Sequence, residues 1–510
     1  MGDFYPPVAD VGLNKSIHVD LKVANMGEKM GEDRTSDAIV SLKRIFENPL
    51  SRHLIKYFTK KERLDNALEI YCSLRQPKGI RERINAFIIG QAINRGAEVF
   101  GGKKEDFVNY FKEPVPRKGL SLVLRSIAEY GVTKPQKLVA PFLVVWDFTK
   151  GCNLKCKHCY ANAGERASDE LTTEQAKAVV NQLDEAGVVA IAISGGEPTT
   201  REDFFEIVKY IHKKGIYVSV ASNGTLITKE FAKKLKDTGV DYIEISLDHT
   251  NPSTHDEFRG VKGAWKRTVE GIKHCVEAGI VTCIATTVTK YNYNDIPNMI
   301  KFAQKLKVQR FIAFNFVPTR RGKKIIDMDI SPGQKEKLLN LLYDKLEEKN
   351  NLQVFSTSPA YARISLERVN AGENGSVAPT HFAAVELKGK AIALADFIGG
   401  CGAGRNYCSI EYNGDIQPCV FIPIRVGNVI KDGFENVWKN SEVMQKLRDR
   451  ELLKNGCAQC KYKYVCGGCR ARAYAYTGDY LASDPGCIII KDWNEKKKGV
   501  ATNERMLQKN

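Results

Sequence analysis

The stretch GCNLKCKHCYANAG, residues 151–164, places Cys152, Cys156 and Cys159 directly after the apolar run FLVVWDFT at 142–149. Thiolates at x3 and x2 spacing read as metal ligands, but a tetrahedral structural zinc site needs four protein ligands. His158 is available, yet it sits between two of the cysteines. A cluster held by three cysteines, with one iron left free, accounts for the missing fourth ligand. A second group has C-x6-C-x10-C spacing at Cys401, Cys408 and Cys419. The stretch CAQCKYKYVCGGCRARAYAYTGDYLASDPGC follows and supplies Cys457, Cys460, Cys466, Cys469 and Cys487. These eight suffice for two four-thiolate centres, of zinc or of iron and sulfide. Of the 14 cysteines only Cys72, Cys275 and Cys283 remain, and the last two read as buried packing thiols.

The elements that would position these groups begin near residue 140. Strand candidates are FLVVWDFT (142–149), VVAIAIS (188–194), YVSVAS (217–222), YIEISLD (242–248), VTCIATTV (281–288) and FIAFNFV (311–317). Between them lie TTEQAKAVVNQLDEAG, REDFFEIVKYIHKKG, KEFAKKLKDTG, AWKRTVEGIKHCVEAG and NDIPNMIKFAQKLK, four of which place Gly where a left-handed helix cap belongs. Alternating strands and helices imply a curled or barrel-like parallel sheet, in which chemistry gathers at the C-terminal strand ends. The three cysteines follow the first strand, at such an end.

With its aromatic Tyr160, the motif Cys152-x3-Cys156-x2-Cys159 resembles the signature of the radical S-adenosylmethionine (SAM) enzymes. The resemblance implies an α/β fold built on a partial (β/α)6 TIM-like barrel, with a [4Fe-4S] cluster whose open iron binds SAM. It also implies reductive cleavage of SAM to a 5'-deoxyadenosyl radical, and a one-electron donor such as ferredoxin or flavodoxin. Further stretches fall where the family places SAM contacts. Gly195, Gly196 and Glu197 of SGGEPTTRED resemble the motif for the SAM amino group, with glycines allowing close approach and the carboxylate accepting from an ammonium. Ser222 and Asn223 of SNGT, then Ser246, Asp248 and Arg259 of EISLDHTNPSTHDEFRG, and Asn315 of FNFVPTRRG, are placed similarly. Each also has a reading as an ordinary turn or strand-end polar group.

The C-terminal cysteines, with NGDIQPC setting Gly414 five positions before Cys419, resemble the SPASM extension and its one or two auxiliary [4Fe-4S] clusters. By that family's interleaved connectivity, Cys401, Cys408, Cys419 and Cys469 hold one cluster and Cys457, Cys460, Cys466 and Cys487 the other. Cys466 and Cys469 are separated by two residues where the general pattern has three, a spacing familiar in members acting on haem precursors. The rival from another class is a zinc-stabilised binding protein.

The expected organisation is a polar arm (1–34), a basic helical domain (35–140), the barrel (141–330), a helical bridge (331–395), a small cysteine-rich domain (396–490) and a polar tail (491–510). SDAIVSLKRIFENPL, with Ile39, Leu42, Ile45 and Phe46 at helical spacing, opens the basic domain. Residues 41–140 hold 20 Lys or Arg against 10 Asp or Glu, so this stretch carries +10 of the formal net charge of +17. That surplus suits an anionic membrane surface or simple solubility, and no nucleic-acid module accompanies it. No run approaches the roughly 18 apolar residues of a membrane span, and MGDFYPPVADVGLNKS lacks a signal peptide's apolar core. The expected location is cytoplasmic, peripheral at the inner membrane face if the basic domain binds there. The leading substrate expectation is the hydrocarbon chain of an archaeal-type membrane lipid, joined by oxidative C–C bond formation. The alternatives are side-chain modification of a haem-pathway tetrapyrrole, and ribosomal peptide or protein maturation.

Overall fold

The computed structural model of the chain describes residues 46, 48–60, 62–100, 104–348, 350–379 and 386–490. Its centre is one ten-stranded sheet. The strands are β1 (Leu143–Thr149), β2 (Ala190–Gly195), β3 (Tyr217–Ser222), β4 (Tyr242–Ser246), β5 (Val281–Val288), β6 (Arg310–Asn315), β7 (Gln353–Ser356), β8 (Tyr407–Ile410), β9 (Asp415–Gln417) and β10 (Gly427–Asn428). Their spatial order is β10-β9-β8-β1-β2-β3-β4-β5-β6-β7. From β1 to β7 every neighbouring pair is parallel, as short crossovers through helices require. All six expected strands are present. A seventh, β7, lies within 331–395, where the sequence reading has a purely helical bridge. On the other edge β8 pairs parallel with β1, and β9 and β10 continue antiparallel, so the cysteine-rich region extends the barrel sheet.

The helices are α1 (Pro49–Phe58), α2 (Arg63–Tyr71), α3 (Ile80–Phe100), α4 (Lys104–Phe111) and α5 (Pro114–Tyr130) before the sheet. Around it lie α6 (Thr173–Ala186), α7 (Phe204–Lys213), α8 (Lys229–Asp237), α9 (Pro252–Arg259), α10 (Ala264–Glu277), α11 (Ile296–Lys305), α12 (Pro332–Glu347) and α13 (Ala360–Asn370). The C-terminal region adds α14 (Ala395–Ile398), α15 (Phe434–Asn440), α16 (Glu442–Arg448), α17 (Asn455–Gln459) and α18 (Arg470–Thr477). Helix α6 shows how locally these are specified. Thr172 and Gln175 form a capping box at its start, and Gly187 ends it in the left-handed region.

Strand alternation sorts side chains to two faces. Val218, Val220, Ile243 and Ile245 are fully buried against the helices, each contributing about 1.5–3 kcal/mol. Ser219, Ala221, Glu244 and Ser246, from the same strands, line an internal cavity. The N-terminal helices have a core of their own around Phe58, Leu68, Ile89 and Phe111. Helix α5 docks them onto the barrel: Lys118 pairs with Asp184 at 2.6 Å, Arg125 donates to the Ala186 carbonyl at 3.0 Å, and Leu122 enters the main core. The expected polar arm and tail, and Ile39, Leu42 and Ile45 of the first expected helix, lie outside the described residues. Among the described residues no helix is long and apolar enough to cross a membrane.

Candidate active site

The three-cysteine loop leaves β1 and is pinched at its base. The Cys152 N–H donates to the Gly164 carbonyl at 2.8 Å, and the Gly164 N–H to the Lys150 carbonyl at 3.0 Å. The loop docks on the C-terminal end of α9, where the carbonyls of Arg259 and Phe258 accept from Lys155 and Lys157 N–H, both at 3.0 Å. Gly260 caps α9 at φ +74°, and a Cβ there would meet the Lys155 carbonyl oxygen at 2.7 Å. From the far side Arg321 donates to the carbonyls of Cys156, at 3.2 Å, and Ala163. Every thiol of the loop faces a donor: Leu154 N–H to Cys152 Sγ at 3.4 Å, Ala163 N–H to Cys159 Sγ at 3.4 Å, and Arg259 Nη1 to Cys156 Sγ at 3.7 Å. Burial pushes the Cys152 thiol up to about 12 and raises that of Cys156. Bound iron would reverse that preference, because metal charge deprotonates a coordinating thiol.

Beside this loop Gly195 and Gly196 line the cavity. Their lack of side chains is required, since a Cβ on Gly195 would lie 2.5 Å from the Thr149 carbonyl oxygen and one on Gly196 2.0 Å from that of Gly151. Glu197 departs from expectation. It is fully buried, and its carboxylate accepts from Ser222 Oγ at 2.8 Å, Asn223 N–H at 2.7 Å and Thr199 Oγ1 at 2.6 Å. It ties the ends of β2 and β3 together and is absent from the cavity wall, unlike Ser222 and Asn223. Asp248 also stays behind the wall. It pairs with Arg259 at 2.6 Å and thereby aims that guanidinium at Cys156. Ser246 and Arg259 do line the cavity. Tyr160 donates to Asp147 Oδ1 at 3.0 Å, shares a hydrogen bond with Ser194 Oγ at 2.7 Å and sets its ring edge-on to Phe421. His158 stacks on Phe258 at 4.3 Å, and burial drives its imidazole down to about 3, so it is neutral.

Asn315 carries the clearest sign of an absent polar ligand. It lines the cavity, and both of its amide atoms are buried without a partner. Buried amides are almost always satisfied, so a ligand rich in hydrogen-bonding groups fits this position. With glycine-lined backbone and donors at all three thiols, the residues present fit a SAM-binding cluster.

The cavity, about 2140 Å³, is lined by Cys152, Cys156 and Cys159 and also by Cys401, Cys419 and Cys469. The latter three surround Tyr407, whose hydroxyl donates to Cys419 Sγ, and they share one packing cluster with it. Cys408 is not with them. It lies on β8 in the helix-side core near Arg448, contrary to the expected grouping. Cys457, Cys466 and Cys487 are close electrostatic neighbours, with Cys460 beside Cys457, and none of the four lines the cavity. Arg450 and Arg470 are buried alongside: Arg450 donates to the Cys401 carbonyl at 2.8 Å, and Arg470 to Cys457 Sγ at 3.7 Å. Among the described residues no three His, Cys, Asp or Glu side chains converge on a single-ion position. Sequence reasoning missed Arg321, which reaches the cysteine loop from beyond β6, and Tyr407. For Tyr407 a signal existed: in the strand YCSI, residues 407 and 408 must face opposite ways.

Comparison with known proteins bears on both cysteine regions. The model of the radical SAM superfamily matches residues 146–303, and that of an iron-sulfur cluster-binding domain, SPASM, matches residues 401–461. An AdoMet-dependent heme synthase of Methanosarcina barkeri is 39% identical over 68% of this chain and 97% of its own length. A mycofactocin maturase of Mycolicibacterium smegmatis is 32% identical over 69% of this chain and 83% of its own. Among solved structures, Streptococcus suis SuiB bound to precursor peptide SuiA superposes with a TM-score of 0.58 at 20% identity, covering 83% of this chain and 92% of that one, a likeness of fold. With one domain model falling on each cysteine region and a 39%-identical relative matched over nearly its whole length, the chain belongs to the radical SAM superfamily and carries a SPASM iron-sulfur domain after its barrel.

Proposed function

We propose that this enzyme modifies the side chains of a haem-pathway tetrapyrrole. The observation that carries the reading is one large cavity lined by cysteines of both groups, together with near full-length similarity to a protein named for heme synthesis. The leading lipid expectation has no comparable support, since the relatives named above carry names of heme and mycofactocin chemistry. At about 2140 Å³ the cavity exceeds the roughly 300–1,000 Å³ of an ordinary small-ligand pocket. Apolar and aromatic walls such as Val317, Phe314, Phe316 and Phe421 suit a flat macrocycle, and Lys388 supplies charge for a carboxylate.

Cys152, Cys156 and Cys159 would hold the cluster that binds SAM, and Gly195, Gly196, Ser222, Asn223, Ser246, Arg259 and Asn315 would surround SAM itself. When bound, this group supplies a 5'-deoxyadenosyl radical able to remove a hydrogen atom from an unactivated C–H bond. The chain holds the cysteine loop rigid through Arg321 and α9, presents backbone at the glycines, and places the substrate between two redox centres. A one-electron donor such as ferredoxin or flavodoxin is required. The test is anaerobic incubation of the reconstituted enzyme with SAM, reductant and iron coproporphyrin III. A SAM-dependent change in tetrapyrrole mass with release of 5'-deoxyadenosine is expected. An unaltered tetrapyrrole, beside an altered lipid or peptide under the same conditions, would overturn the proposal.

For location, the basic N-terminal helices support peripheral attachment to an anionic surface. Ile80, Ile84 and Phe87 lie on α3 at helical spacing and are 53–78% exposed, beside Arg81 and Arg83. Co-sedimentation with anionic vesicles tests this, and no binding at low salt would refute it.

A further inference from the structure

We propose that the auxiliary centre nearest the substrate is held by only three cysteines, Cys401, Cys419 and Cys469, and that its fourth corner opens to the cavity, where it takes an anionic oxygen such as a substrate carboxylate. Cys408, the fourth member by spacing, is a packing thiol.

Strand parity sets Cys408 apart from the other three thiols. β8 pairs parallel with β1 in the register Leu143↔Tyr407, Val144↔Cys408, Val145↔Ser409 and Trp146↔Ile410. Leu143 and Val145 face the packing cluster that holds Tyr407, Cys419 and Cys469. Val144, Trp146, Cys408 and Ile410 all face the opposite, helix-side core, and all are 0% exposed. Because side chains alternate, Cys408 could join the other three only by a one-residue slip. That slip would bury Tyr407 and Ser409 in the helix-side core and drive Ile410 out of it. The cysteines themselves agree: the neighbouring thiols of Cys419 are those of Cys401 and Cys469, whereas the charged group near Cys408 is Arg448.

From the same side of β8 Tyr407 meets these thiols, but as a donor: its hydroxyl bonds Cys419 Sγ, a contact to a ligand sulfur and not a fourth ligand. All four residues line the cavity, so the corner that lacks a cysteine looks into the substrate space. Cys457, Cys460, Cys466 and Cys487 lie off the cavity and form a complete set of four. The two auxiliary centres are therefore unlike: one closed, one able to bind a ligand. This inference rests on the chain carrying auxiliary clusters and not on the tetrapyrrole reading, and none of its readouts involves turnover.

The full-length protein is reconstituted anaerobically with iron and sulfide. Cys408→Val and Cys408→Ala are expected to keep the wild-type iron-to-protein ratio and all reduced-cluster EPR signals. Cys419→Ala and Cys469→Ala should each lose the signal of one auxiliary centre. Loss of a centre in both Cys408 variants would overturn the assignment. The open corner is read in a variant with Cys152, Cys156 and Cys159 changed to Ala, so that only auxiliary centres respond. Adding cyanide to the reduced protein should shift the g-values of one of the two remaining signals and leave the other unchanged. Two unresponsive signals would show that both centres are fully ligated and would sink the proposal.

Discussion

At the residue scale, the polar side chains behind the cavity wall carry much of the site's precision. Glu197 accepts from four donors on three residues in full burial, so Glu197→Gln would turn an amide N–H₂ toward groups that need an acceptor. A stability loss of about 1–3 kcal/mol is expected from the unsatisfied groups, read as a lower urea midpoint. An unchanged midpoint would show that the carboxylate is dispensable to the fold. The Asp248–Arg259 pair makes a pH-dependent prediction. Burial pushes the Asp248 carboxyl up, but the Arg259 guanidinium, the neighbouring imidazoles of His158 and His255 and the Thr287 N–H together outweigh this and hold it below its ordinary value. A depressed carboxyl stabilises the folded state fully above its unfolded pKa, about 3.9. That contribution is lost as pH falls through the depressed folded value. The wild type should therefore exceed Asp248→Asn in stability near pH 7 and lose this advantage below about pH 4. A stability difference independent of pH would rule out the ionised pair. The motifs point to Glu197 and Asp248 as SAM contacts. Their places behind the wall depended on which donors the folded neighbours presented.

At the scale of elements, the contact between the glycine turn after β2 and the cysteine loop after β1 decides whether a cluster can form. A Cβ on Gly196 would lie 2.0 Å from a backbone carbonyl oxygen, which cannot yield as a flexible side chain could. Gly196→Ala should displace the cysteine loop and remove about four irons while sparing the C-terminal centres. Retention of full iron content in that variant would show that the loop tolerates the shift. The six strands β1 to β6 were legible because each is a compact apolar run closed by a helix signal. β7 was not: QVFS is four residues long and is set off from the polar KNN by Leu352 alone, so it carries too little periodicity to compete with the helical patterns around it. Its pairing with β6 across a helical crossover is a tertiary fact.

At the scale of the whole molecule, two additions flank the barrel in different ways. The cysteine-rich region shares its sheet through β8, and Arg472 from α18 donates to the Phe316 carbonyl at 2.6 Å, so the auxiliary site is built into the barrel mouth. The N-terminal helices touch the barrel through α5 and leave the α3 stripe exposed. Each of Ile80, Ile84 and Phe87, more than half exposed, forgoes part of the about 1.5–3 kcal/mol of full burial, a cost that a membrane surface would recover. Ile84→Glu with Phe87→Glu should abolish sedimentation with anionic vesicles and leave the iron content unchanged. Undiminished vesicle binding would remove this stripe from the account.

Cysteine spacing, glycine turns and strand–helix alternation were enough to identify the superfamily, the SAM cluster motif and the parallel sheet. All three are local: a loop that wraps a cluster, a turn that admits a backbone, and a strand that buries one face must write their requirements within a few consecutive residues. Three things had to await the tertiary structure. The side of β8 on which Cys408 falls depends on register with a strand more than two hundred residues earlier. The retreat of Glu197 from the cavity depends on β3 lying beside it, and the grip of Arg321 on the cysteine loop depends on the sheet bringing β6 near β1. Each concerns which long-range neighbour a side chain meets, and that is set by burial and strand pairing across the whole fold, which no short window of sequence contains.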